Sequence, residues 1–335
     1  MRSYGVKLGR ILRILLTIMF LLAGSLTSNG FPLTSDEFDQ IAISETQRYI
    51  PAPLERIQSI IKLQIIMDRT GISPGVIDGL QTARFRKALA AFNQLQKQAV
   101  SITDLEAIDQ LLMENGGPAF VDYAITNDDV HYEFTPQIPH RYVEQASMGR
   151  IDFKSVQEML AERFHMDQTF LTELNAGADF GQVGTIIRVA SFGKDLQKHV
   201  SRIEADKTNL QLRAFSKDGS LVASYPASIG SQRTPSPTGT HSVRNKAQNP
   251  AYTYDPNGSS QPGQTKGLLL LPPGPNGPVG DAWIGLSKRT YGIHGTPEPS
   301  QIGIAQSVGC IRLTNWDALE LARLVKRGVE VTFIE

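Results

Sequence analysis

The spacing of apolar residues changes character twice along the chain. From Leu54 to Leu112 it follows a helical period, with apolar residues three and four apart in "LERIQSIIKLQIIMDR" and "RFRKALAAFNQLQ". The Gly- and Pro-rich stretch "GISPGVIDG" between them reads as a turn. From Val121 to Ala190, "FKSVQEMLAERFHMDQTFLTELNAGADFGQVGTIIRVA" predicts a short strand, an amphipathic helix, a turn, a second helix ending at Asn175, and a returning strand at "GTIIRV". After Lys198 the period falls to two. "RIEADKTNLQLRAFSKDGSLVASYPASIG" alternates apolar and polar residues about "KDG", the mark of a β-hairpin. "TPSPTGTHSV" and "QNPAYTYDPNGSSQPGQTKG" read as surface loops, and "AWIGL", "YGIHG" and "CIRL" as strands. "NWDALELARLVKRG" then predicts a helix capped by Asn315 and ended by Gly328, and "VEVTFIE" a last strand. The pattern as a whole predicts an α+β, multidomain chain whose C-terminal part is mainly β.

The first thirty residues stand apart. Arg2, Lys7 and Arg10 precede "ILRILLTIMFLLAGS", whose apolar run from Ile14 to Ala23 is too short for the roughly 20 residues of a spanning helix. The arrangement predicts a signal peptide over residues 1–30, with small residues Ala23 and Ser25 at a cleavage site and a second candidate cut after Gly30. An uncleaved membrane anchor is the alternative. "LLAGS" is similar to a lipoprotein signal, but Ser25 stands where the lipid-bearing cysteine would be.

Composition narrows the function classes. The 335 residues are 41% hydrophobic and 20% charged, as in ordinary globular proteins, and suffice for two or three domains. Lys and Arg balance Asp and Glu at 33 each. Loss of the first thirty residues, with four basic side chains and no acidic one, leaves 29 against 33, a net charge of −4. Nothing in that balance draws the protein to nucleic acid, and membrane contact is expected only through the signal segment.

Cys310 is the one cysteine, so no internal disulfide can form. It lies in "YGIHGTPEPSQIGIAQSVGCIRLTN", sixteen positions after His294. A thiol carries out acyl transfer when a base is near and donors await the oxyanion. In "SVGC", Gly309 permits a sharp turn on which the amides of Val308, Gly309 and Cys310 can converge. His294, on an adjacent strand, would take the thiol proton, with the Gly295 carbonyl holding its other ring nitrogen. Three other readings compete. The two residues could be packed core. They could belong to a zinc site, yet His131, His140, His165, His199 and His241 show no ligand spacing. They could sense redox state, but a resolving cysteine is absent.

Family resemblances add to this reading. "GISPGVIDG" followed by "ALAAFNQLQ" resembles a peptidoglycan-binding module, expected over 50–118. "LAERFHM", "LTELNAG" and "VGTIIRVA" resemble a LysM module of βααβ order, expected over 121–192, although "FKSVQ" replaces the usual "GD" pair. "PTGTHSV" and "YGIHGTPEP", with "IGIAQSVGCIRLTNWDALELARLVKRGVEVTF", closely resemble the L,D-transpeptidase (YkuD) catalytic domain, expected over 198–335 as a sandwich or barrel. That resemblance implies Cys310 as nucleophile, His294 as base, an oxyanion hole from Val308 to Cys310, and turn and substrate-binding roles for Ser307 and Arg312. It implies peptidoglycan stem peptides as partners, the periplasm or cell wall as location, and neither metal nor other cofactor. Many members carry histidine where this chain has Val308. The acceptor stays open among a stem amine, water and a protein lysine, and a non-catalytic wall-binding scaffold is the competing class.

Overall fold

The computed structural model describes residues 54–230, 234–255, 267–304, 307 and 309–335. The signal segment read at 1–30 and the oxyanion candidate Val308 lie outside them. No described helix is long and apolar enough to cross a membrane.

Three helices open the described chain: α1 (Leu54–Arg69), α2 (Ala83–Gln96) and α3 (Leu105–Glu114). Each exists because an apolar stripe finds a core. Ile60, Leu63 and Met67 of α1, Phe85, Ala88 and Phe92 of α2, and Ile108 and Leu112 of α3 are all buried. Side-chain caps start two of them, Thr82 accepting from the Phe85 amide and Asp104 from the Ala107 amide.

The next segment runs β1 (Phe120–Ala124), one-turn helices α4 (Asn127–Val130) and α5 (Tyr142–Gln145), then α6 (Val156–Arg163), α7 (Gln168–Leu174) and β2 (Ile186–Ala190). The strands pair antiparallel, Phe120 opposite Ala190 and Ala124 opposite Ile186. This segment does not keep a core of its own. Ile60, Phe92 and Ile108 of the first three helices form one cluster with Leu160, Leu171, Ile187 and Val189, and Phe215 and Leu221 of the following sheet join it.

From β3 onward the chain builds a nine-stranded mixed sheet: β3 (Arg202–Asp206), β4 (Gln211–Phe215), β5 (Leu221–Pro226), β6 (Ser228–Ile229), β7 (Gly239–Gln248), β10 (Ala282–Leu286), β11 (Gly292–His294), β12 (Ile311–Arg312) and β13 (Glu330–Ile334). Its order is β5-β4-β3-β13-β7-β10-β11-β12-β6, and β8 (Tyr252–Tyr254) pairs with β9 (Leu269–Leu271) in a separate ribbon. Two neighbouring pairs are parallel, β3 with β13 and β11 with β12. Helix α8 (Asn315–Leu324) joins Ala318, Leu321 and Leu324 to a second core with Ile203, Val243, Ile284 and Val331.

The cap of α8 differs from the sequence expectation. Thr314, not Asn315, is the N-cap, its hydroxyl accepting from the Asp317 amide. The Asn315 side chain is drawn to the loops instead. The helix stops at Leu324, before Gly328, whose N–H donates to the Val243 carbonyl.

The segment before residue 198 is bound directly to this sheet. Ser73 N donates to the Ser224 carbonyl (2.8 Å) and Ser224 N to the Gly71 carbonyl (2.9 Å). Ile151 and the loop from Leu271 to Asp281 exchange two more bonds, Ile151 N to Pro273 O (3.0 Å) and Asn276 N to Ile151 O (3.1 Å). A Cβ on Gly274 would stand 2.1 Å from the Ile151 oxygen, so only glycine permits this approach. Buried Arg84 reaches across to the carbonyls of Ser300 (2.8 Å) and Ile302 (3.1 Å).

Candidate active site

Two short parallel strands bring the chemistry together. Ile293 pairs with Ile311 and His294 with Arg312. Because side chains alternate along a strand, this register puts Cys310, Arg312 and His294 on one face. Gly309 holds φ of 99°, a left-handed value that turns the chain just before the thiol.

The turn is fastened from inside. Ser307, 2% exposed, accepts from the Gly230 amide (2.6 Å) and donates its hydroxyl to the Cys310 carbonyl. Ser236 Oγ donates to the Gly309 carbonyl (2.8 Å). The structure thus brings Ser307, Gly309, Cys310, His294, Gly295 and Arg312 together and spends the Ser307 hydroxyl on the turn itself.

His294 is buried, and its Nδ1 lies 2.7 Å from the Gly295 carbonyl oxygen. As that oxygen can only accept, Nδ1 carries the proton and Nε2 is left as the basic nitrogen. The indole of Trp283, opposite in the β10–β11 ladder, stacks on the imidazole with centroids 5.6 Å apart. Burial, with the Arg312 cation adding, pushes the His294 pKa down to about 4 despite the Gly295 bond. The ring is therefore neutral at pH 7.

Burial likewise raises the pKa of the Cys310 thiol, opposed by a backbone contact at Gly292 and by Arg312. The pair thus rests as thiol and neutral imidazole. The thiol donates to the Thr290 carbonyl at 3.6 Å. Arg312 makes no ion pair among the described residues.

The pattern-based reading missed several neighbours. Tyr252, with its pKa pushed up to about 12 chiefly by burial, lies within electrostatic reach of Tyr142, Cys310 and Arg312. Tyr142, on α5, packs its ring edge-on to Tyr254 at 4.9 Å. Tyr142 thus brings the segment before residue 198 into the electrostatic neighbourhood of Arg312. A cavity of about 370 Å³ lies elsewhere, lined by Glu162, His165, Asp281, Asn315, Trp316 and Asp317 among others but by neither Cys310 nor His294. Among the described residues, no group of three His, Cys, Asp or Glu side chains is placed to hold a metal ion.

Comparison with known proteins places the chain in a family. Residues 201–333 match the model of the YkuD L,D-transpeptidase catalytic domain. A Bacillus licheniformis protein named for L,D-transpeptidase YkuD is 34% identical over 178 residues, covering 52% of this chain and 91% of the relative. Its Bacillus subtilis counterpart is 36% identical over 118 residues, covering 35% and 57%. Among solved structures, L,D-transpeptidase 3 from Mycobacterium tuberculosis is similar at 18% identity and a TM-score of 0.34, covering 46% of this chain and 76% of that one. With the catalytic-domain match and a relative covered nearly end to end, the chain belongs to the L,D-transpeptidase (YkuD) family and is an acyltransferase enzyme.

Proposed function

We propose that the protein is an exported L,D-transpeptidase acting on peptidoglycan stem peptides. The observation that carries this is the β11–β12 register, which sets His294, its Nδ1 held by Gly295, on the same face as Cys310 and Arg312. Cys310 Sγ attacks the carbonyl carbon that precedes the terminal D-alanine of a tetrapeptide stem, while His294 Nε2 takes the thiol proton. The oxyanion is met by the amides of Val308, Gly309 and Cys310. Collapse breaks the peptide bond, His294 returns the proton to the departing amine, and D-alanine leaves behind a thioester. The side-chain amine of a neighbouring stem then attacks the thioester, gives its proton to His294 and regenerates the thiol, forming a 3→3 cross-link.

Arg312 holds the substrate carboxylate in this scheme, and bond exchange alone drives the reaction. The peptidoglycan-binding-like and LysM-like segments and the signal-like start fit a substrate outside the cytoplasm.

Incubation with purified sacculi followed by muropeptide analysis tests the reading. Wild-type protein should yield 3→3 dimers, and Cys310→Ala none. Tripeptides accumulating without dimers would make water the acceptor and the protein an L,D-carboxypeptidase. A carbapenem adduct on Cys310 in intact-protein mass spectra, absent from Cys310→Ala, is expected; its absence on folded wild type would favour the scaffold.

A further inference from the structure

Asn315 is 2% exposed and sits between two loops and α6, and the chemistry proposed above does not use it. Its Oδ1 accepts from the amides of Asp281 (3.2 Å) and Thr296 (3.1 Å). Its Nδ2 donates to the Pro275 carbonyl (3.1 Å) and to Glu162 Oε2 (2.9 Å). All four capacities of the carboxamide are filled, and two backbone donors on one side leave it a single orientation. The packing is close: a Cβ on Gly280 would lie 2.0 Å, and one on Gly295 2.1 Å, from Asn315 Oδ1.

The bond to Thr296 N–H matters because that N–H and the Gly295 C=O belong to one peptide unit. Such a unit is planar and trans, so fixing one end fixes the direction of the other. Asn315 grips the N–H end, and the C=O end accepts from His294 Nδ1 at 2.7 Å. The peptide is therefore a rigid lever between Asn315 and the imidazole. Glu162 lies 153 residues earlier in the chain, on α6, and holds the far side of the same carboxamide.

We propose that Glu162 is a positioning residue for His294, acting through Asn315 and the Gly295–Thr296 peptide, so that the segment before residue 198 helps to set the active site. The inference rests on the reading of His294 as the base. Supporting chemistry comes from burial, which pushes the Glu162 carboxyl up to about 8 and keeps it uncharged at neutral pH. What Asn315 needs from position 162 is thus a neutral acceptor of the right length. Glutamine supplies it. Methionine, similar in shape, does not.

The test measures single-turnover acylation of the full chain by a carbapenem, together with the His294 Nδ1–H resonance in proton–nitrogen NMR spectra. Misplacing a catalytic group by about 1 Å costs up to ~100-fold. Glu162→Met is expected to acylate at least about tenfold more slowly and to shift or lose the Nδ1–H signal. Glu162→Gln should stay within about twofold of wild type with the signal kept. Glu162→Leu, which likewise offers Asn315 no acceptor, should be slow as well and decides the matter alone if Glu162→Met does not fold. Wild-type acylation and an unchanged signal in a folded Glu162→Met or Glu162→Leu would overturn the inference, as would Glu162→Gln proving as slow as the methionine variant. A wild-type protein that is never acylated, or one whose His294→Ala form reacts at full rate, would instead overturn the reading of the base.

Discussion

His294 Nδ1 and the carbonyl oxygen of its own neighbour Gly295 are 2.7 Å apart, so the imidazole is oriented by backbone and needs no acidic partner. A catalytic triad usually assigns that place to a carboxylate, whose charge also raises the basicity of the ring. Here the ring is buried without that charge, and the Arg312 cation adds to the effect of burial, so its pKa falls to about 4.

Acylation should therefore lose its acid limb at unusually low pH. The base is active when neutral, so the rate should hold steady from pH 8 down to about 5 and drop around 4. Carbapenem acylation rates across that range check this. A midpoint near the ordinary histidine value of about 6.5 would contradict the buried, cation-facing ring.

Stability should fall toward alkaline pH. Burial pushes the Glu162 and Asp317 carboxyls up to about 8, whereas unfolded they ionise near 4. Between those values the native state binds more protons, so stability declines as pH rises. His165, its pKa raised by Asp68 against burial, adds in the same direction as its proton is lost. His294 has the opposite sign, but its contribution is complete above pH 6.5. The melting temperature should drop by about 5 °C or more between pH 6.5 and 9, and less in Glu162→Gln.

Gly292→Ala should disturb the base without touching it. The added Cβ would lie 2.5 Å from the Trp283 ring, which is backed by the β10–β11 ladder and stacks on His294. Overpacking of this kind costs about 1–3 kcal/mol. Chemical denaturation should show that loss, and acylation should slow beyond what the unfolded fraction explains.

Arg84→Met should be among the costliest single changes. It removes both carbonyl contacts to the Ser300–Ile302 stretch and strips the cation from Asp78, bonded at 3.0 Å, whose side chain is 8% exposed. Breaking one partner of a buried pair costs about 3–5 kcal/mol. Urea titration measures it. A loss below about 1 kcal/mol would mean that Asp78 finds other compensation.

The chemistry was legible in sequence where chain neighbours do the work. Cys310 after the Gly309 turn, and His294 before Gly295, are local arrangements visible as strings of letters. Ser307 was legible as part of the pattern, but its hydroxyl turns inward because Gly230, distant in sequence, offers an amide to it. Asn315 looked like a cap since asparagine favours that place, yet Thr314 took it because the carboxamide had two loops and a glutamate to hold. Glu162 and Trp283 gave no signal at all. Their importance comes from pairings across the fold, which no local spacing encodes.

The eleven residues from Ser191 to Ser201 join the early segment to the sheet, and they are not slack. Gly193 rests so closely on Arg69 that a Cβ would lie 2.7 Å from its Cα, and Arg323 pairs with Asp195 at 2.6 Å. Two parts of an enzyme joined by a slack leash can sweep a radius about one another. This chain has traded that leash for a splint: residues 54–190 and the sheet that carries the thiol hold one orientation, so the ground open to the thiol is set by the fold and not by the swing of a linker.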